Sequence, residues 1–211
     1  MHKVNCIPRL CLQGLHGSQR IIDALLYSPG PIIWRVELSG KFDIGADKIA
    51  ATKRKYLWGY DATDVLNDFT RRCALDVIHL WEAPAIVTEY LKTGNDLLRV
   101  AAWTAAWDAA WYSATLAARA AAGAAARAAA GGTAGGTAIA AAWNAAWDAT
   151  RDITKGDWDP NINEKILDKY NRRLTSMIVK KRGGNMKKIL IEIAAFAAIF
   201  ALVFYNIGIK I

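Results

Sequence analysis

The chain has 211 residues, 54% of them hydrophobic, and a formal net charge of +8. That length holds one or two small domains and a tail, and three cysteines (Cys6, Cys11, Cys73) exclude an even disulfide framework. The excess charge is local: Glu164 to Lys188 carries nine Lys or Arg against two acids, a balance of +7, so the remainder is close to neutral.

His2 and Lys3 are followed only by a short apolar run interrupted by Pro8, which does not read as a signal peptide. Together with the odd cysteine count this predicts a reduced, cytoplasmic compartment for the body. GLHGS, residues 14–18, then precedes QRIIDALLY, with Ser18 placed to cap a helix whose apolar face is Ile21, Ile22, Leu25 and Leu26. SPGP at 28–31 stops it. IIWRVELSG, 32–40, alternates: Ile33, Arg35 and Glu37 lie on one face, Ile32, Trp34, Val36 and Leu38 on the other. A turn through Gly45, Ala46 and Asp47 leads to a second strand over 49–58.

The run GLHGS…DALLYSPGP…WRVELSG…DKIAATKRKYLW resembles a domain of unknown function found in phage and bacterial proteins. The resemblance covers about 45 residues and implies no established activity.

Asp61 or Thr63 opens a helix that carries Val65, Leu66, Phe69, Cys73, Val77 and Leu80 at helical spacing. Ala83-Pro84 ends it. A short helix over 86–91 is closed by Gly94, and Asn95-Asp96 caps the next, which enters an alanine run.

In that run Trp103, Trp107 and Trp111 begin a period of four that continues to Arg151. Alanine makes helix nearly obligatory. Four residues advance 400°, so the marked stripe drifts about 40° per repeat and cannot hold one face for the whole run. The first three Trp span about 80°, enough to anchor their helix on the 65–91 helices, and the ladder reads as packing. Trp, Arg and Gly fill most of the marked positions. Their codons interconvert by single first-base changes, so a decaying 12-base repeat would produce the same pattern. GGTAGGT, 131–137, predicts the turn of a helical hairpin near 131–136, with Trp143 and Trp147 opposite Gly123 and Arg119.

The Ala-Trp-Asp repeat, RRCALDVIHLW before it and DKYNRRLTSMI after it resemble uncharacterised phage and bacterial proteins, some of them similar to immunity proteins of toxin systems. With the N-terminal run, resemblance covers residues 12 to 180 and implies a non-enzymatic accessory role with a protein partner.

Residues 189–209 are 21 positions with one acid, Glu192, long enough for a helix to cross a bilayer core of about 30 Å. Lys180, Lys181, Arg182, Lys187 and Lys188 flank its N-terminal side, which predicts a cytoplasmic body, contact with membrane lipid and an outward C-terminus. Residues 186–211 would also serve alone as a small membrane protein, so a fusion of two reading frames is a second origin for the tail.

Chemistry is sparse. Cys6, Cys11, His16, Cys73 and His79 lack zinc-ligand spacing, so no metal is expected, with Cys73 read as core. No Walker loop, dinucleotide fingerprint or Ser-His-Asp arrangement is present, and no cofactor is expected. His16, Tyr27 and Glu37 are the candidate binding residues. GLHGS, a helix ending in Tyr27 and a following strand are loosely similar to the nicotinamide-pocket segment of ADP-ribosyltransferases, which gives an enzyme on the N-terminal module as the alternative. His16 as a turn residue bonded to backbone is the plainer reading. A nucleic-acid interface on 164–188 is the third; the membrane-side position of that stretch favours lipid over nucleic acid. The expected fold is α+β and mainly α. It has a strand-helix-strand-strand module over 1–60, an Ala/Trp-rich helical bundle or hairpin over 61–182, and a membrane-spanning tail over 186–211.

Overall fold

The computed structural model describes residues 1–27, 30–113, 116–130 and 160–183. The fold is mixed α and β, mainly helical, with one antiparallel sheet. Met1–Leu174 forms one compact unit and Thr175–Ile211 a second. The expected turn at 131–136, Trp143, Trp147, Lys187, Lys188 and the apolar run 189–209 lie outside the described residues. Among the described residues no helix is long and apolar enough to cross a membrane.

The sheet is built on β4 (Ile49–Asp61). β3 (Ile32–Ile44) pairs along one of its edges; β1 (His2–Lys3) and β2 (Leu15–Gly17) share the other. The β3–β4 turn forms as expected, with Gly45 N–H donating to Lys48 O at 2.9 Å. The register slips twice, between Arg35 and Val36 and between Ser39 and Phe42. At the second slip Gly40 takes φ +91° and a side chain there would run into Thr52 Oγ1, so glycine makes this bulge possible.

α1 (Ile21–Leu26) buries Ile22 and Leu25. Ser18 does not cap it: the cap position is Arg20, whose side chain makes no capping bond. Asn171 Oδ1 accepts Ile21 N–H at 3.1 Å and Ile22 N–H at 3.5 Å, so a residue of the last described helix, α6 (Pro160–Lys181), satisfies the free amides. Arg20 bonds buried Asp23 at 2.6 Å and reaches Glu164 at 2.5 Å.

α2 (Thr63–Asp76) starts where Asp61 Oδ1 accepts Thr63 N–H at 3.0 Å, and buries Val65, Leu66, Phe69 and Cys73 as its spacing requires. It ends four residues short of Leu80. A 3-10 turn takes Ile78–Leu80, where Leu80 N–H and Trp81 N–H donate to carbonyls three residues back. α3 (Ala85–Thr93) follows Pro84 and closes on Gly94 at φ +67°; Asn95 then caps α4 (Asp96–Tyr112) through Leu97 N–H.

The alanine run breaks earlier than its composition predicts. Ser113 leaves the helix at ψ 131° and its hydroxyl donates back to Ala109 O at 2.6 Å. The chain resumes as α5 (Leu116–Ala130), which packs on α4, α2 and α3. α5 is buried nearly all round, Ala121 to Ala126 without interruption, and Tyr90 Oη donates to Ala128 O at 3.2 Å. A helix enclosed on every side needs side chains small enough to admit its neighbours, which is what alanine supplies.

This reverses the expected role of the Trp ladder. α4 turns Ala102 and Ala106 inward, fully buried, while Trp103, Trp107 and Trp111 are 40%, 49% and 74% exposed. Trp103 and Trp107 stack on each other, centroids 6.1 Å apart. Close approach to an alanine helix leaves no room for an indole between them.

α6 docks on α2 through Tyr170 and Leu174, both buried; the Tyr170 ring meets Phe69 edge-on at 6.1 Å. Asp76 receives both Arg173 nitrogens, at 2.9 and 3.1 Å, and Lys169 at 3.2 Å.

Candidate functional site

The residues with most chemistry to offer lie on the sheet, where β1 and β3 flank β4. In an antiparallel pair, residues directly opposite share a face and alternate residues change face. His2 opposes Arg54, and Val36 opposes Tyr56. Past the first bulge Trp34 opposes Gly59. His16 opposes Ala50, four residues before Arg54 and so on the same face.

Contacts bind these residues into one cluster. The Tyr56 ring receives His2 edge-on at 5.5 Å and Trp34 edge-on at 5.2 Å. The Arg54 guanidinium stands 4.9 Å from the Tyr56 ring centre, donates to Tyr56 Oη at 2.6 Å, and donates to His16 O at 2.9 Å. Trp34 covers Gly59, where a Cβ would come within 2.7 Å of the indole. Both rings nevertheless face solvent, Trp34 at 53% and Tyr56 at 39%.

Two polar atoms in the cluster are buried without a hydrogen-bond partner among the described residues: His16 Nε2 and Arg54 Nε. An unmet buried donor or acceptor costs about 1–3 kcal/mol. On its other face the sheet sets like charges against each other, because Lys3 is the direct cross-strand partner of Lys53.

The three sequence candidates do not converge. His16 belongs to this cluster, as a strand residue rather than a turn residue, with its carbonyl bonded and its Nε2 unmet. Glu37 opposes Lys55, one residue along from Arg54, and therefore lies on the other face of the sheet. Tyr27 fastens the β3–β4 turn: its hydroxyl donates to Asp47 and the Lys48 ammonium sits 4.1 Å from its ring centre. The Tyr27 hydroxyl holds the Asp47 carboxyl below the ordinary range. Trp34, Arg54 and Tyr56 were missed as site residues. The alternation of β3 already placed Trp34 opposite in face to Glu37, but the register that joins it to Tyr56 depends on a bulge.

Among the described residues outside the cluster, Trp81 Nε1 is also buried without a hydrogen-bond partner. Lys169 and Arg173 of the basic stretch are spent on Asp76, whereas Lys165, Arg172, Lys180 and Lys181 are exposed. Cys73 is buried on α2, which pushes its thiol up to about 12. Among the described residues no group of His, Cys, Asp and Glu is placed to hold a metal.

Comparison with family models, curated proteins and solved structures finds no match.

Proposed function

We propose that this chain is a non-enzymatic accessory protein that recognises a macromolecule through the Trp34–Arg54–Tyr56 face of its sheet and is held at a membrane by residues 189–209. One observation carries the recognition half: two large rings stand open to solvent beside a cation and two unmet buried polar atoms. Exposed aromatic area clustered with unsatisfied polar groups is the composition of a binding surface. An enzyme built on His16 and Glu37 is disfavoured, because the sheet stands between them. The membrane half rests on the 21-residue apolar run and its basic flank, Lys180, Lys181, Arg182, Lys187 and Lys188. The resemblance of residues 12–180 to phage and bacterial accessory proteins supports the same reading, including an immunity-like role against a toxin.

Two measurements test it. A photo-crosslinking amino acid at position 34, in cells, yields a discrete macromolecular adduct that is absent with the same residue at position 72 on α2; equal yields at both positions reject the face. Full-length chain sediments with membranes after carbonate washing and a chain ending at Arg182 does not; release of both rejects the anchor.

A further inference from the structure

β3 is paired on one side. Among the described residues β4 pairs along its length, and no strand lies along its other edge. None of its 13 residues is buried, and Ile32, Trp34, Phe42 and Ile44 are exposed. Such an edge presents a row of backbone donors and acceptors whose complement is another strand.

The two ends of this edge differ. Beyond Ser39 it is protected in a usual way: the second bulge places its extra residue on β3, Lys41 follows, and Asp43 is engaged by Leu10 N–H at 2.7 Å. From Ile32 to Ser39 there is neither Pro nor Lys. The extra residue of the first slip is Leu57, on β4, so β3 itself runs without a bulge there.

That stretch is complementary to itself. Laid antiparallel on a second copy with Val36 opposite Val36, Arg35 meets Glu37 of the copy and Glu37 meets its Arg35. Trp34 meets Leu38 and Ile33 meets Ser39 in the same way. Within the chain Glu37 already opposes Lys55. Across the seam it therefore sits between Lys55 and the second copy's Arg35, in a row of alternating charge. Shifting the register by two residues, the least that keeps each side chain on its face, sets Arg35 against Arg35 or Glu37 against Glu37. A second copy satisfies the pattern twice by symmetry.

We infer that the chain forms a two-fold symmetric dimer by antiparallel pairing of residues 32–39 of β3, which joins two sheets into one. The seam is separate from the recognition face, since it uses the backbone edge of β3. Trp34 and Tyr56 of both copies then lie on one face of the joined sheet.

The test uses the full chain in detergent micelles, with Cys6 and Cys11 replaced by Ser so that buried Cys73 is the one native thiol. Residues directly opposite in an antiparallel pair have Cα atoms about 4.5–5.5 Å apart, within disulfide reach. Val36→Cys gives a disulfide-linked dimer on mild oxidation. Ser39→Cys alone gives none, because its two copies lie about 20 Å apart in this register. A mixture of Ile33→Cys and Ser39→Cys chains links as the mixed dimer. Sedimentation equilibrium provides a second readout. Arg35→Glu and Glu37→Lys each weaken self-association about tenfold or more, since both cross-seam pairs become like-charged. Mixing the two variants recovers association, because every pair is then opposite in sign. Where circular dichroism shows that a charge variant has lost its fold, the cysteine set decides.

A monomer at every concentration overturns the inference. So does a dimer in which Ser39→Cys alone links as readily as Val36→Cys, or one indifferent to charge reversal, because the contact then lies elsewhere. A monomer that still yields the position-34 adduct keeps the recognition face and rejects the dimer. A dimer whose position 34 links to nothing but a second copy does the reverse.

Discussion

Asn171 caps a helix that begins 150 residues before it: its side-chain oxygen accepts the N–H of Ile21 at 3.1 Å. The contact ties the N-terminal module to α6 and completes a helix of only six residues, too short to hold its own first turn. Asn171→Ala is expected to cost about 1 kcal/mol in urea unfolding. Asn171→Asp, which keeps the acceptor and lies near Arg20, recovers most of that loss. Equal losses in both variants would show that the amide's packing matters and the cap does not.

Asp76 and Arg173 form a further tie of α6 to the body. Burial opposes ionisation of Asp76, yet the two bonds from Arg173 and the Lys169 ammonium prevail and hold its carboxyl below the ordinary range. A depressed folded-state value means stability that is fully present above the unfolded value of about 3.9 and lost as pH falls through the folded one. Asp76→Asn should cost about 2 kcal/mol at pH 7, between the worth of a surface pair and a buried one. The gap from the parent should close below about pH 4. Asp23 acts in the opposite sense: burial raises its carboxyl despite the Arg20 bond, so its ionisation costs stability that acidification returns. Unfolding curves at pH 7, 5 and 3 separate the two carboxylates.

Tryptophan and alanine exchange their usual roles along α4 and α5. Trp107→Ala removes a half-exposed ring and a stacking partner but installs the best helix former, so its net effect should lie within about 0.5 kcal/mol. Ala125→Leu, on the enclosed helix, should cost about 2 kcal/mol or more by overpacking. Thermal melts of the two variants give this order; the reverse order would return the Trp ladder to the core.

Cysteine accessibility reports the same core chemically. Cys11 is exposed, at φ +62°, whereas Cys73 is fully buried and its thiol is pushed up to about 12 by desolvation. Thiolate is the reactive form. Iodoacetamide at pH 8 should modify Cys11 within minutes and Cys73 only at the rate of unfolding, followed by mass spectrometry. Early modification of Cys73 would mean that the α2–α6 seam opens locally.

The parts legible in the sequence were those governed by neighbours in the chain. Gly94 and Asn95 mark the α3–α4 junction, Gly45 to Asp47 the hairpin turn, and the alternation of β3 places Trp34 and Glu37 on opposite faces. What escaped depends on partners far along the chain. Asn171 replaces Ser18 as a cap because α6 delivers it. The break at Ser113 has neither Gly nor Pro to announce it, and in an alanine helix hydrophobicity does not say which face is inside. Arg54 and Tyr56 became candidates only once the β1–β4 register and the bulge at Val36 brought His2 and Trp34 to them.

The central claim is that the Trp34–Tyr56 face is kept for recognition and not for folding. Trp34 does shield Gly59, a contact that contributes to strand pairing, so removing it carries some cost. The most direct measurement is the unfolding free energy of Trp34→Ala/Tyr56→Ala beside that of Phe69→Ala, whose ring is 1% exposed in the core. The account predicts a loss under about 1.5 kcal/mol for the double variant and about 3–5 kcal/mol for Phe69→Ala. A double variant that loses as much as Phe69→Ala would contradict it.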